Sequence, residues 1–156
     1  MSGKVRVLCV GKLKIPFCKD ACAHYLTRIG HHRQILCTEV RDGASSLPVD
    51  RRKAEEGQRI LGALAPNDIL LVLDEHGDSL TSLQLAKLLQ KLDDSAGGCP
   101  CFVVGGAYGL DACVLERARR CISLSPMTLP HELARVVLLE QLYRADCILR
   151  KSPYHH

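Results

Sequence analysis

The chain has 156 residues, enough for one domain that buries roughly 68–70% of its extended surface without needing a metal or a disulfide. Its formal charge of +4 permits an acidic partner such as RNA without arguing for one, and no run reaches the eighteen apolar residues of a membrane span. Nine cysteines, odd in number and without a C-x-x-C pair, fall mostly in apolar runs where a free thiol behaves as a small hydrophobe; with no apolar signal core at Met1-Ser2-Gly3-Lys4, the expectation is a cytoplasmic protein with no metal site.

Val5 to Gly11 is a continuous apolar run closed by glycine, which predicts a strand buried on both faces. Pro16 stands where a first helical turn accepts it, and Phe17, Ala21, Tyr25 and Ile29, with Cys18 and Cys22, form a helical stripe that Gly30 stops. Gln34 to Val40 reads as a second, partly alternating strand, and Arg41 to Leu47 as a polar loop. Pro48 to Leu64 reads as a helix whose basic triplet, Arg51, Arg52 and Lys53, is either a solvated face or a contact for RNA phosphates. The clearest central strand, Ile69 to Asp74, follows, and Glu75-His76-Gly77-Asp78 reads as a turn. Ser79 or Thr81 then caps a helix through Leu92, with Leu83, Leu85, Leu88, Leu89 and Leu92 apolar.

Gly97-Gly98 precede a fourth strand, Cys101 to Val104, and the cluster Gly105-Gly106-Ala107-Tyr108-Gly109. A short helix over Leu110 to Ala118 and a last strand, Cys121 to Leu124, come next. The loop Ser125 to Pro130 is odd, because an exposed connection should be polar, yet Pro126, Met127, Leu129 and Pro130 are apolar or rigid. Something should cover it. The final helix, His131 to about Ile148, is apolar nearly all round and should be buried on more than one side: by the sheet and a second subunit in a homodimer, or within a single core. Arg135, Glu140 and Arg144 interrupt it and need partners, as an ion-pair set or as part of a site. A short tail, Ser152 to His155, ends the chain.

Five β-α alternations with apolar strands predict one α/β domain over residues 1–156, an open, mostly parallel sheet of about five strands with helices on both faces. In such sheets ligands lie beyond the carboxyl ends of the strands. Three of those ends carry unusual chemistry: Leu73-Asp74 before His76-Gly77, Gly105 to Gly109, and Leu124 to Leu129. Together they predict one crevice, in which Gly105 and Gly106 allow close backbone approach and Gly109 ends the turn. The glycines match neither a dinucleotide fingerprint nor a Walker loop, and a plain turn explains them equally well.

Three stretches together resemble a known family. V-V-G-G-x-x-G-L at Val103 to Leu110, I-S-L-S-P-M-T-L-P-H-E-L-A-R-V-V-L-L-E-Q-L-Y-R-A at Ile122 to Ala145, and P-Y-H at Pro153 to His155 are similar to the bacterial pseudouridine N3-methyltransferases of 23S ribosomal RNA in the SPOUT superfamily. The resemblance implies a C-terminal trefoil knot that general topology rules would not suggest, a homodimer, and S-adenosylmethionine (SAM) bound in the knot. By matching positions, the cofactor contacts would be Leu73, Gly105 and the segment Leu124, Ser125, Pro126, Met127, Thr128 and Leu129, with Gly106 and Gly109 beside them in the crevice. The substrate would be a pseudouridine in large-subunit rRNA of assembled ribosomes. The tail, residues 152–156, would complete the site near the partner subunit's cofactor.

A sulfonium methyl is already electrophilic, so such a reaction needs mainly positioning and the loss of one imide proton, with no metal. His155 is then the candidate base or orienting group, Tyr154 a hydrogen-bonding or stacking group, and Arg135 or Arg144 a holder of phosphate or of developing negative charge. Plainer readings stand beside these: a solvated His155, arginines paired only with Glu140, and His131 as an ordinary first-turn residue. Two positions depart from the family pattern. Ala107-Tyr108 replace Pro-Glu, removing a carboxylate and adding a ring that would cover the cofactor or stack on a base, and Ser152 replaces His. Alternatives from other classes are a flavodoxin-like nucleotide or effector module and a ribosome-associated relative without transfer activity.

Overall fold

A computed structural model describes residues 3–156; Met1 and Ser2, part of the segment read for a signal core, lie outside the described residues. The elements are β1 (Lys4–Val10), α1 (Pro16–Gly30), β2 (Gln34–Val40), α2 (Val49–Ala63), β3 (Asp68–Ser79), α3 (Ser82–Asp94), β4 (Cys99–Val104), α4 (Ala112–Arg117), β5 (Arg120–Ser123) and α5 (His131–Leu149). The five strands form one parallel sheet in the order β2-β1-β4-β3-β5. The predicted α/β architecture is therefore present, element for element.

Both faces of the sheet are covered, which is why Val7 to Val10, Ile69 to Leu73 and all of β4 are apolar. Val5, Val7 and Cys9 of β1, with Leu71, Phe102, Val104 and Ile122, face a layer made by α1, α3 and α5. Leu8 and Val10, with Leu70, Val72, Cys101 and Val103, face α2 and α4 through Ile60 and Val114. All nine cysteines are free, and six of them are buried, as expected of small hydrophobes. Among the described residues no helix is long and apolar enough to cross a membrane, and no group of three or more His, Cys, Asp and Glu could hold a metal.

Two expectations need correction. The predicted turn at Glu75 to Asp78 lies inside β3, which runs on to Ser79: Leu73 and Asp78 both stand opposite Ile122 of β5, so residues 74–77 bulge out between them. Gly77 makes this possible, because a Cβ there would lie 2.6 Å from the backbone carbonyl carbon of Cys121. The second concerns Phe17, which is 68% exposed. Cys18 and Cys22, one turn apart, face the sheet and rotate Phe17 outward; Leu83 of α3 is turned out likewise, beside the buried Leu85, Ala86 and Leu89. Thr81 caps α3, accepting from Gln84 N at 3.1 Å while Gln84 Oε1 accepts from Thr81 N at 2.8 Å.

Candidate active site

Parallel strands put all their carboxyl ends on one edge, and there β3, β4 and β5 deliver their loops to a cleft of about 470 Å³. That is the size of a small-molecule site. Leu73, Asp74, Glu75 and His76 reach it from β3 and its bulge, the glycine turn from β4, and Leu124, Ser125, Met127, Thr128 and Leu129 from β5. His131 and Ala134 of α5, Leu115 of α4 and Lys53 of α2 line it as well.

The glycine turn is tight. Gly109 has φ +83° and donates to Gly106 O at 3.1 Å; a Cβ on Gly105 would stand 3.0 Å from Leu110 Cγ, and one on Gly106 3.1 Å from Glu56 Oε1. A side chain at Gly105 or Gly106 would thus crowd its neighbours, and glycine leaves the backbone open there. The loop after β5 is held from within: Ser123 Oγ donates to Ser125 O at 2.8 Å, Ser125 Oγ accepts from Met127 N at 3.0 Å, and Thr128 Oγ1 donates to Glu75 Oε2 at 2.5 Å. That last bond ties the β5 loop to the β3 bulge across the cleft. Met127 is 76% exposed, and Pro126 is exposed and not part of the lining, so part of this apolar loop is uncovered.

Of the residues named from sequence for cofactor binding, Leu73, Gly105, Gly106, Gly109, Leu124, Ser125, Met127, Thr128 and Leu129 converge on this cleft, and Pro126 does not. Arg135 is not brought there either. It is 2% exposed, donates to Glu39 Oε2 at 2.6 Å and to Gly11 O at 2.9 Å, and so clamps α5 to β2 and the end of β1. A guanidinium so enclosed and paired cannot reach an RNA phosphate from this position.

Arg144, Tyr154 and His155 form a second group, away from the cleft of their own chain. Helix α5 ends in a Schellman turn: Ser152 N donates to Cys147 O and Lys151 N to Ile148 O, with Lys151 at φ 57° where glycine is usual. This reversal lays the tail back along α5. Arg144 pairs with Glu140 Oε1 at 2.6 Å, its guanidinium carbon stands 4.8 Å from the centre of the Tyr154 ring, and its Nη1 lies 3.4 Å from His155 Nδ1. Tyr154 donates to the same Glu140 Oε1 at 3.2 Å and packs edge-on against Tyr143 at 4.8 Å. Burial, with the Glu140 carboxylate second, pushes the Tyr154 phenol up to about 12, so it remains a donor at neutral pH.

Sequence reasoning offered Glu140 as a member of an ion-pair set or of a site, and missed Lys53 at the cleft. Helical spacing exposes the first, since Glu140 and Arg144 are four apart. No local signal exposes the second.

A family model described as "Predicted SPOUT methyltransferase" matches residues 3–155. The chain is 66% identical over 157 residues to the ribosomal RNA large subunit methyltransferase H of Desulfovibrio desulfuricans, with 100% of both chains covered. It is 58% identical over 152 residues to the protein of that name from Nitratidesulfovibrio vulgaris, covering 97% of this chain and 98% of the relative. Among solved structures, a probable methyltransferase from Bordetella pertussis Tohama I superposes with a TM-score of 0.56 at 16% identity, covering 93% of this chain and 95% of that one. At that identity the likeness concerns the fold alone.

Proposed function

The chain belongs to the SPOUT methyltransferase family, and from that premise we propose that it is a cytoplasmic homodimer that methylates N3 of a pseudouridine in 23S rRNA of assembled ribosomes, using SAM. In this reading the C-terminal part, from the glycine turn through α5, carries the trefoil knot. The observation that carries the donor site is the convergence of Leu73, Gly105 and Leu124 to Leu129, Pro126 excepted, on one cleft. Aliphatic side chains there offer a wall for an adenine, the glycine turn offers backbone to a flat ligand, and Asp74 and Glu75 at the rim suit a cationic donor.

SAM supplies a methyl group on a positively charged sulfur, ready for attack. The protein must align N3 with that methyl and accept the N3 proton. His155 is the group for the proton, held beside Arg144, whose own charge is fixed by Glu140. Arg144 would steady the negative charge that develops on the uracil ring as N3–H is lost. Tyr154, protonated and stacked under Arg144, keeps that guanidinium in place. Since these groups stand away from their own cleft, they act on the partner's.

The test is methyl transfer from labelled SAM to ribosomes that lack the modification. Wild-type protein labels a single pseudouridine of the large subunit; no label would refute the assignment. His155→Ala leaves SAM binding unchanged by calorimetry and lowers turnover by about 10²–10⁴-fold, and Tyr154→Phe lowers it less. Unchanged turnover in both would remove the tail from the site.

A further inference from the structure

We propose that Tyr108, stacked on Arg52 and lining the cleft together with Lys53, is a docking platform for a nucleobase of the RNA substrate and its adjoining phosphate. The inference rests on the RNA-methylation reading above and adds to it a contact surface on the cleft's own chain.

Tyr108 lines the cleft and is 53% exposed, a large ring left open to solvent at the tip of the glycine turn. Its position is prepared. The Arg52 guanidinium carbon lies 5.2 Å from the ring centre, and Arg52 is itself anchored, donating from Nε to Leu47 O at 3.2 Å and from Nη2 to Ser45 O at 2.9 Å. An anchored cation behind an aromatic ring holds the ring in one orientation and leaves its other side to a ligand. Helix α2 packs tightly on α4, where a Cβ on Gly57 would stand 2.8 Å from Cys113 Sγ.

The carboxylates of α2 are engaged: Glu55 pairs with Arg59, and Glu56 Oε2 accepts from Gly43 N at 2.9 Å while its Oε1 lies beside Gly106. Lys53 lines the cleft and takes part in no salt bridge among the described residues. A stacking ring and a cation lining one cleft are the combination that binds single-stranded nucleic acid, the ring taking a base and the cation a phosphate. The methyl donor is a poorer occupant. It carries positive charge, which Arg52 and Lys53 repel, and the aliphatic wall for its adenine lies deeper, at Leu73, Leu124 and Leu129.

Three variants separate these roles: Tyr108→Ala, Tyr108→Phe and Lys53→Gln. The expected result for Tyr108→Ala is a roughly ten-fold rise in KM for ribosomes, with kcat and the SAM Kd within about two-fold of wild type. Tyr108→Phe restores most of the loss, and Lys53→Gln lowers the salt dependence of ribosome affinity by about one unit of log–log slope. A SAM Kd that weakens in step with the KM would overturn the proposal, because the ring would then serve the donor. An unchanged KM would also overturn it. Binding of a short single-stranded RNA, followed by fluorescence anisotropy, keeps the platform testable apart from turnover. If the wild type binds RNA, Tyr108→Ala weakens that binding and neither transfers a methyl group, the platform stands and the methylation reading fails.

Discussion

Glu132 sits in the first turn of α5, where the helix N-terminus favours a negative charge, yet its carboxylate serves another segment. Oε1 accepts from Lys14 N at 2.6 Å and Ile15 N at 3.0 Å, which fixes the entry to α1 and satisfies two backbone donors ahead of that helix. The Ile15 N–H, with Lys14 N–H adding to it, holds the carboxyl below its ordinary value of 4.5. A carboxyl depressed by folding stabilises the native state fully above its unfolded value, and that contribution is lost as the pH falls through the folded value. Thermal melts below about pH 4.5 should therefore show a falling Tm, and Glu132→Gln should lower Tm at neutral pH by a few degrees and flatten the acid limb. Parallel pH profiles for the two proteins would contradict this. Arg135, one turn on, illustrates the same point about reach: five residues from Glu140 it faces away from it, and it finds Glu39 on a strand instead.

Elements are tied together by one buried group. Arg33, just before β2, binds Asp146 near the end of α5 through Nε and Nη2 at 3.0 and 2.9 Å, and Asp93 near the end of α3 through Nη1 and Nη2 at 3.1 and 2.9 Å. Removing one partner of a buried, hydrogen-bonded charge costs about 3–5 kcal/mol, because the other charge is left unpaired. Asp146→Ala should therefore shift the urea midpoint strongly without changing the slope, while Asp93→Ala, at the more exposed end, should cost less. Equal and small shifts would mean that α3 and α5 are held by their apolar contacts alone. None of this network was legible, since its members lie far apart in sequence. The elements themselves were: a strand covered on both faces must be largely apolar, as Val7 to Val10 of β1 and all of β4 are, and the crevice followed because parallel strands share one edge. What escaped notice depended on contacts through space. Gly77 looks like a turn residue until Cys121 is seen beside it, and Lys53 looks like solvated charge until α2 is docked on the glycine turn.

At the scale of the whole molecule, the α1, α3 and α5 layer is unfinished. Phe17, Leu83 and Leu133 are exposed near the amino ends of these three helices, which all lie at the carboxyl edge of the sheet, as does the exposed Met127. Along α5, Leu133, Val137, Gln141, Arg144 and Ile148 follow one another at helical spacing and are all left partly open. A second copy applied to this face by a two-fold axis would cover it and carry each tail toward the other's cleft. Sedimentation should then give a mass twice the 17.2 kDa of one chain. Mixing decides where the tail acts. His155→Ala keeps a sound cleft with a dead tail, whereas Gly105→Val, whose side chain would press on Leu110, keeps a sound tail with a dead cleft. Each is inactive alone. If the tail serves the partner, unfolding and refolding the two together makes about half the dimers mixed, each with one working site, and restores about a quarter of wild-type activity. If the tail serves its own chain, every site in the mixture lacks one part, and refolded mixtures with native melting curves will stay silent.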